Sequence, residues 1–146
     1  MSILKKKALT FLAKRDYAYN ELFNKLKSYA LNEDELHTVL KDLQQKGWLS
    51  EERYINSYIN SKSKKYGLLK IKYLLYDKSG DRTLIDDLLN NSEVDEFEVA
   101  HQLWLKKFGA ESSTLDQKQI ARGMRFLQSR GFSFDIINKI LTKIKT

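Results

Sequence analysis

The most one-sided chemical feature of this 146-residue chain is a basic, tyrosine-containing stretch without any acid. It runs from Arg53 to Tyr76, 24 residues that include neither Asp nor Glu, and it could bind phosphate groups or an acidic protein surface. Lysines can also serve only to solvate a helix and cover apolar neighbours with their aliphatic stems, so both interpretations stay open here. The candidate binding residues are Lys62, Lys64, Lys65, Lys70 and Lys72, interleaved with Tyr66, Tyr73 and Tyr76.

A second group of cations lies on a predicted helix from about Asp116 to Arg130. Ile120, Met124 and Leu127 fall on one face of that helix, and basic residues at i, i+4 and i+7 fall on the opposite face. This division suits a helix that binds a partner, but an ordinary solvated face has the same pattern, so both remain possible. The candidate binding residues here are Lys118, Arg122, Arg125 and Arg130.

The net charge of +7 and the pI near 9.4 also indicate a polyanionic partner, although the charge is unevenly distributed. Residues 1–80 carry a net +7, residues 81–115 carry −5, and residues 116–146 carry +5. The chain therefore has two basic regions separated by an acidic one. The charge pattern indicates a patterned surface more than a uniformly cationic protein.

Residues that could perform catalysis do not form a recognisable pattern. His37 and His101 belong to different predicted units, no Cys is present, and no metal-ligand spacing surrounds either histidine. Adjacent acids such as Asp86 and Asp87 point about 100° apart on a helix, so they cannot converge on one substrate atom. We therefore expect no enzyme activity, no cofactor and no metal site.

The elements that must position the cations are predicted to be helices that repeat about every 50 residues. No Pro and only six Gly are present, which favours helices over sheets. In Leu68–Leu89 an apolar helix, a stop at Gly80, a cap at Asp81 and a second apolar helix follow one another. Shifts of 49 and 52 residues reproduce this apolar pattern, with Asn32 and Ser133 as the caps. The prediction is an all-α, elongated tandem array of three three-helix units without a sheet, with boundaries at 1–49, 50–94 and 95–146.

The same patterns predict details of individual elements. The first helix is expected from about Ile3 to Lys14, Ser50 is expected to cap the fourth helix, and Asn32 with Glu35 has the spacing of a capping box. Isolated glycines other than Gly123 are expected to punctuate helices. The N-terminus lacks a signal-peptide pattern and no apolar run reaches 18 residues, so we expect a cytoplasmic protein that does not span a membrane.

Four stretches, in order along nearly the whole chain, together resemble one known family. They are LAKRDYAYNELFNKL, KGWLSEERYINSYINSK, YGLLKIKYLLYDKSG and RGFSFDIINKIL, and they resemble the bacterial RecX regulators of recombination. The resemblance implies an array of three-helix units that binds the RecA–DNA filament, inhibits RecA ATP hydrolysis and strand exchange, and has no catalytic activity. This chain departs from the family pattern at Ile55, where Ala is usual, at Lys62, where Arg is frequent, and at Tyr66, where Lys is common.

The partners implied by this resemblance are the RecA filament and single- or double-stranded DNA, reached directly or through RecA, with the protein itself a monomer. Such a protein would act in homologous recombination, DNA repair and the SOS response. The alternative is a stand-alone helical DNA-binding protein that acts through its basic surfaces. Six Arg against twenty Lys, and no helix face rich in Arg, Asn and Gln, argue against reading of a DNA sequence. Which unit meets RecA and which meets DNA stays open.

Overall fold

The computed structural model describes residues 2–109 and 114–145, and every regular element within these ranges is a helix. The prediction of an all-α fold is confirmed, since no strand occurs in the described residues. None of the helices in these two ranges combines the length and the apolar character needed to cross a membrane. The helices are α1 (Ile3–Leu12), α2 (Tyr19–Leu26), a 3-10 turn (Lys27–Tyr29), α3 (Glu33–Gln45), α4 (Glu51–Lys62), α5 (Leu68–Lys78), α6 (Arg82–Asn90), α7 (Glu96–Phe108), α8 (Gln117–Ser129) and α9 (Phe134–Lys145).

The predicted N-caps are confirmed. Each capping oxygen accepts a hydrogen bond from the backbone N–H three residues later, at 2.8 to 3.3 Å, and so satisfies a donor that the first turn leaves unpaired. The reciprocal half of the predicted capping box differs, because Glu35 accepts from the N–H of Leu31 at 3.1 Å rather than from that of Asn32. The confirmed caps are Asn32, Ser50, Asp81 and Ser133.

The chain forms two compact units, and the first comprises residues up to Tyr58 together with Leu75–Asn90. The Glu51 carboxylate fixes three of its segments, because it accepts hydrogen bonds from the backbone N–H of Tyr19 and from the hydroxyl of buried Ser79. The main core lies among α1, α2 and α3, where the predicted apolar stripes meet. Its buried members are Leu4, Ala8, Tyr17, Leu22, Leu26, Leu36, Leu40, Leu43 and Leu49.

The second compact unit comprises Ile59–Leu74 and the chain from Asn91 onward. Its core is formed by α7, α8 and α9 around Trp104, which is fully buried. Gly123 lets α8 approach this ring closely, since a Cβ at position 123 would lie 2.2 Å from Cζ3 of Trp104. The buried core residues are Ala100, Trp104, Leu127, Phe132, Ile137, Ile140 and Ile144.

The border between the two compact units falls inside α4, after Tyr58, and inside α5, after Leu74. The middle helix triplet α4–α6 is therefore divided between them. The boundaries proposed from the repeat, 1–49, 50–94 and 95–146, follow the order of the helices and stay a prediction. The candidate cations lie in the second compact unit, which is described next by itself.

Candidate functional site

A backbone contact joins the loop before α5 to the junction between α8 and α9. The N–H of Gly67 donates a hydrogen bond of 2.7 Å to the carbonyl oxygen of Arg130. A Cβ on Gly67 would lie 2.2 Å from the carbonyl oxygen of Gly131, and Gly131 itself has a φ of +90°, a conformation that favours glycine. Glycine is therefore required on both sides, and Gly67 allows this close approach in addition to separating two helices.

This contact gathers three predicted binding residues around one aromatic ring. The Nζ of Lys70 lies 4.5 Å from the centre of the Tyr66 ring, and the Nζ of Lys65 and the Cζ of Arg130 lie 5.7 and 5.8 Å from it. These distances are within the range of cation–π attraction. Arg130 also donates a hydrogen bond of 3.2 Å to the carbonyl oxygen of Lys65, and Lys70 donates one of 3.4 Å to that of Ser129. Two stretches about 60 residues apart in sequence thus form one basic surface.

A second ring extends this surface. The Cζ of Arg130 lies 5.0 Å and the Nζ of Lys107 lies 4.7 Å from the centre of the Phe126 ring. Sequence reasoning missed Lys107, because it belongs to the segment whose net charge is −5. Its place near the C-terminal end of α7, where cations are common, gave no signal of a binding role. We call Lys65, Tyr66, Lys70, Lys107, Phe126 and Arg130 the Tyr66 cluster.

The remaining candidates on α8 are exposed, as the helical wheel predicted, and follow the helix towards this cluster. Arg122, Phe126 and Arg130 succeed one another at four-residue spacing, so that one side of α8 leads from the basic face to the Tyr66 cluster. From Lys118 to Arg130 the helical rise is about 18 Å. We call Lys118, Arg122 and Arg125 the α8 row.

The other three candidates do not join the Tyr66 cluster. Lys64 is exposed beside a groove of about 710 Å³ that runs along α7 and includes Glu98 and Leu103 in its lining. Lys62 and Lys72 are partly buried. The acid-free stretch is therefore divided among several environments, which its sequence pattern did not indicate.

Some members of the acid-free stretch have structural contacts in the first compact unit. The Arg53 guanidinium donates to Asp16 at 3.1 Å and to the carbonyl oxygen of Gly47 at 2.7 Å, and thereby holds the turn that follows α3. The hydroxyl of Tyr76 donates to Asp86 at 2.5 Å. These groups stabilise the fold, so they are weaker candidates for binding than the Tyr66 cluster.

The histidines and a partly buried acid are also engaged within the fold. His37 shares a hydrogen bond of 2.6 Å with the Tyr19 hydroxyl, and His101 packs on the Phe97 ring with their centres 5.9 Å apart. No group of three His, Cys, Asp or Glu that could hold a metal occurs in the described part of the chain. Burial raises the pKa of Glu96, at the start of α7, while a hydrogen bond from the backbone of Leu68 opposes that rise.

Comparisons with known proteins identify the family to which these features belong. The model of the RecX third three-helix domain matches residues 93–141. The Regulatory protein RecX of Leptothrix cholodnii is 37% identical over 138 residues, which cover 94% of this chain and 87% of the relative. The corresponding protein of Acinetobacter baylyi is 36% identical over 143 residues, which cover 97% and 88%.

The chain belongs to the RecX family. A solved structure supports the fold of this RecX chain: the crystal structure of RecX from Lactobacillus salivarius has a TM-score of 0.84, with 23% identity, over 97% of this chain and 94% of that one. The matched third domain contains Lys107, Phe126, Arg130 and the α8 row. The RecX resemblance inferred from the sequence is confirmed.

Proposed function

We propose that this RecX protein regulates homologous recombination and DNA repair by binding the RecA–DNA filament and inhibiting RecA ATPase and strand exchange. The family membership and the name Regulatory protein RecX of its relatives support this proposal. The observation that carries the binding step is the convergence of Lys65, Lys70 and Arg130 on one ring, from two stretches distant in sequence. These cations, with Lys62, Lys64, Lys72 and the α8 row, are the proposed binding residues.

A basic surface suits this role because a nucleoprotein filament presents many phosphates. Each cation that neutralises a phosphate releases a counterion, which makes binding strong at low salt and progressively weaker as salt rises. The α8 row and the Tyr66 cluster extend over about 18 Å of helix rise, so several phosphates can be contacted at once. Binding by a charged surface needs no catalytic group, which agrees with a regulator that has no enzyme activity of its own.

Inhibition follows if the protein binds one state of the filament better than another. A ligand shifts an equilibrium only by the difference between its affinities for the two states. We therefore propose that this protein stabilises a form of the filament that hydrolyses ATP and exchanges strands more slowly. Its partners would be the RecA filament and single- or double-stranded DNA, met directly or through RecA, and it would act as a cytoplasmic monomer.

The alternative function is that of a stand-alone helical DNA-binding protein. The exposed α8 row favours this candidate, because a basic helix face can bind naked DNA without RecA. The two functions differ in what RecA adds. A filament regulator binds the RecA–DNA filament more tightly than the same DNA alone, whereas a stand-alone DNA-binding protein shows no such preference.

The test is a titration of the purified protein into RecA assembled on single-stranded DNA, with ATP hydrolysis and strand exchange as readouts. We expect both rates to fall at substoichiometric to equimolar ratios of this protein to RecA. Binding to the filament and to naked DNA is compared at several salt concentrations. Unchanged hydrolysis and strand exchange across the titration, with equal affinity for naked DNA and filament, would refute the proposed function and favour the alternative.

A further inference from the structure

The Tyr66 cluster places four cations around two aromatic rings. Lys65 lies in the loop before α5, and Lys70 lies near the start of α5. Lys107 lies on α7, and Arg130 directly follows α8. Within the described residues none of these four cations forms an ion pair with a carboxylate. Grouping like charges in this way opposes folding unless an anion or a ring offsets the repulsion.

The two aromatic rings supply part of that compensation. Tyr66 has three cations within 5.8 Å of its centre, and Phe126 has two within 5.0 Å. Both rings are partly buried and have cations next to them. A nucleic-acid base would have to displace those cations before it could stack on either ring. The rings therefore hold the cations in place, and stacking of a base on Tyr66 is not part of the proposed binding.

We infer that the Tyr66 cluster, continued by the α8 row, binds the phosphates of a nucleic-acid strand and reads no base. This inference rests on the proposed function and names the component of the filament, DNA rather than protein, that this surface meets. A strand presents one phosphate per nucleotide along a line, and Arg122, Arg125 and Arg130 likewise follow one helix. Guanidinium and ammonium groups both bind phosphate oxygens well.

The test measures fluorescence anisotropy of a labelled thirty-residue oligothymidylate and of an abasic deoxyribose-phosphate chain of equal length. Labelled polyglutamate serves as the acidic protein probe. The cluster variant is Lys65→Gln, Lys70→Gln and Arg130→Gln. The matched control removes the same charge from exposed positions of the first compact unit, with Lys6→Gln, Lys14→Gln and Lys41→Gln.

We expect the parent to bind the oligothymidylate and the abasic chain with affinities within about threefold, and polyglutamate at least about tenfold more weakly. The cluster variant should lose at least about tenfold for both phosphate chains, and its logarithmic salt slope should fall by about 2, since three contacts each contribute about 0.7 on single strands. The control should keep the parent slope. No binding of the parent at low salt, equal losses in both variants, or polyglutamate bound as tightly as DNA would each overturn the inference.

Tyr66→Leu separates scaffolding from stacking. Loss of the cation–π attraction should lower the affinity for both phosphate chains to the same extent, by about two- to fivefold. Weakening of the oligothymidylate alone would mean that a base stacks on the ring and that the inference is wrong. If the triple variant melts below the assay temperature, the double variant Lys65→Gln with Lys107→Gln replaces it. Neither of these ammonium groups forms a hydrogen bond within the described residues, so their removal should leave the fold intact. The expected fall in the logarithmic salt slope is then about 1.4.

RecA ATPase measured with the same proteins distinguishes this inference from the proposed function. A parent that binds DNA as expected but leaves RecA turnover unchanged would refute the proposed function alone. A parent that inhibits RecA, while the cluster variant and the control bind DNA equally well, would refute the phosphate site alone.

Discussion

Replacing Gly67 by Ala would drive a methyl group into the backbone contact that assembles the Tyr66 cluster. The new Cβ would lie 2.2 Å from the carbonyl oxygen of Gly131, 2.4 Å from its carbonyl carbon and 2.6 Å from the nitrogen of Phe132. All three are backbone atoms, so no side-chain rotation relieves the overlap. The two segments would have to separate by about 1 Å to reach ordinary contact distance.

The expected loss of stability has two parts. Overpacking with a backbone shift costs about 1–3 kcal/mol, and a weakened hydrogen bond from Gly67 to Arg130, now 2.7 Å, costs about 1 kcal/mol more. We therefore expect Gly67→Ala to lower the free energy of unfolding by about 2–4 kcal/mol. Separation of the two segments would also move Arg130 away from Tyr66 and reduce DNA binding in the protein that stays folded.

Urea denaturation followed by circular dichroism measures the first effect, and anisotropy with labelled DNA measures the second. Two other glycines serve as controls. Gly47→Ala meets no atom within 4 Å but has a φ of +78°, so it should cost about 1–2 kcal/mol from backbone strain alone. Gly80→Ala, whose nearest neighbour is Nδ2 of Asn20 at 3.5 Å, should be nearly neutral. A Gly67→Ala protein as stable as Gly80→Ala, with unchanged DNA affinity, would refute the reasoning.

Two further predictions concern α7 and α8. Burial raises the pKa of Glu96 above its ordinary 4.5, so protonation of this carboxyl favours the folded state. The stability that protonated Glu96 contributes is fully present below the pKa of the unfolded state. It is lost as the pH rises through the pKa of the folded state. We expect Glu96→Gln to raise the melting temperature at pH 7 but not at pH 4, and a lower melting temperature at pH 7 would contradict the assignment. Gly123→Ala should destabilise by about 1–2 kcal/mol, since overpacking against buried Trp104 exceeds the gain in helix propensity, and urea denaturation showing higher stability would argue against this close contact.

Local patterns in the sequence predicted the helices well because helix formation depends on near neighbours. The stripe of Leu36, Leu40 and Leu43 is buried, and the oxygens of Asn32, Ser50 and Ser133 accept hydrogen bonds at the predicted N-termini. Each of these interactions spans only three or four residues, which is within reach of a spacing argument. The spacing predicts that the first helix reaches about Lys14, whereas α1 ends at Leu12, a difference of the size that fraying helix ends produce.

The family could also be inferred from the sequence, because four ordered stretches match it together. Charge and helical spacing indicate the nine binding candidates, but they do not show which basic stretches come together in the fold. Arg53 lies in the acid-free stretch but pairs with Asp16, which is 37 residues away. Glu96 belongs to the acidic segment, yet burial next to the start of α5 raises its pKa.

Only the tertiary structure decided which cations form one surface. Lys65 and Arg130 are separated by 65 residues, and the contact of Gly67 with Gly131 brings them together. Lys107 joins them through Phe126, although its own sequence segment is acidic. A helical repeat specifies which side chains share a helix face, since the rise and turn of a helix are constant. Whether distant loops meet depends instead on how the helices pack. The two glycines that let the backbones come into contact have no periodic spacing from which that contact could be predicted.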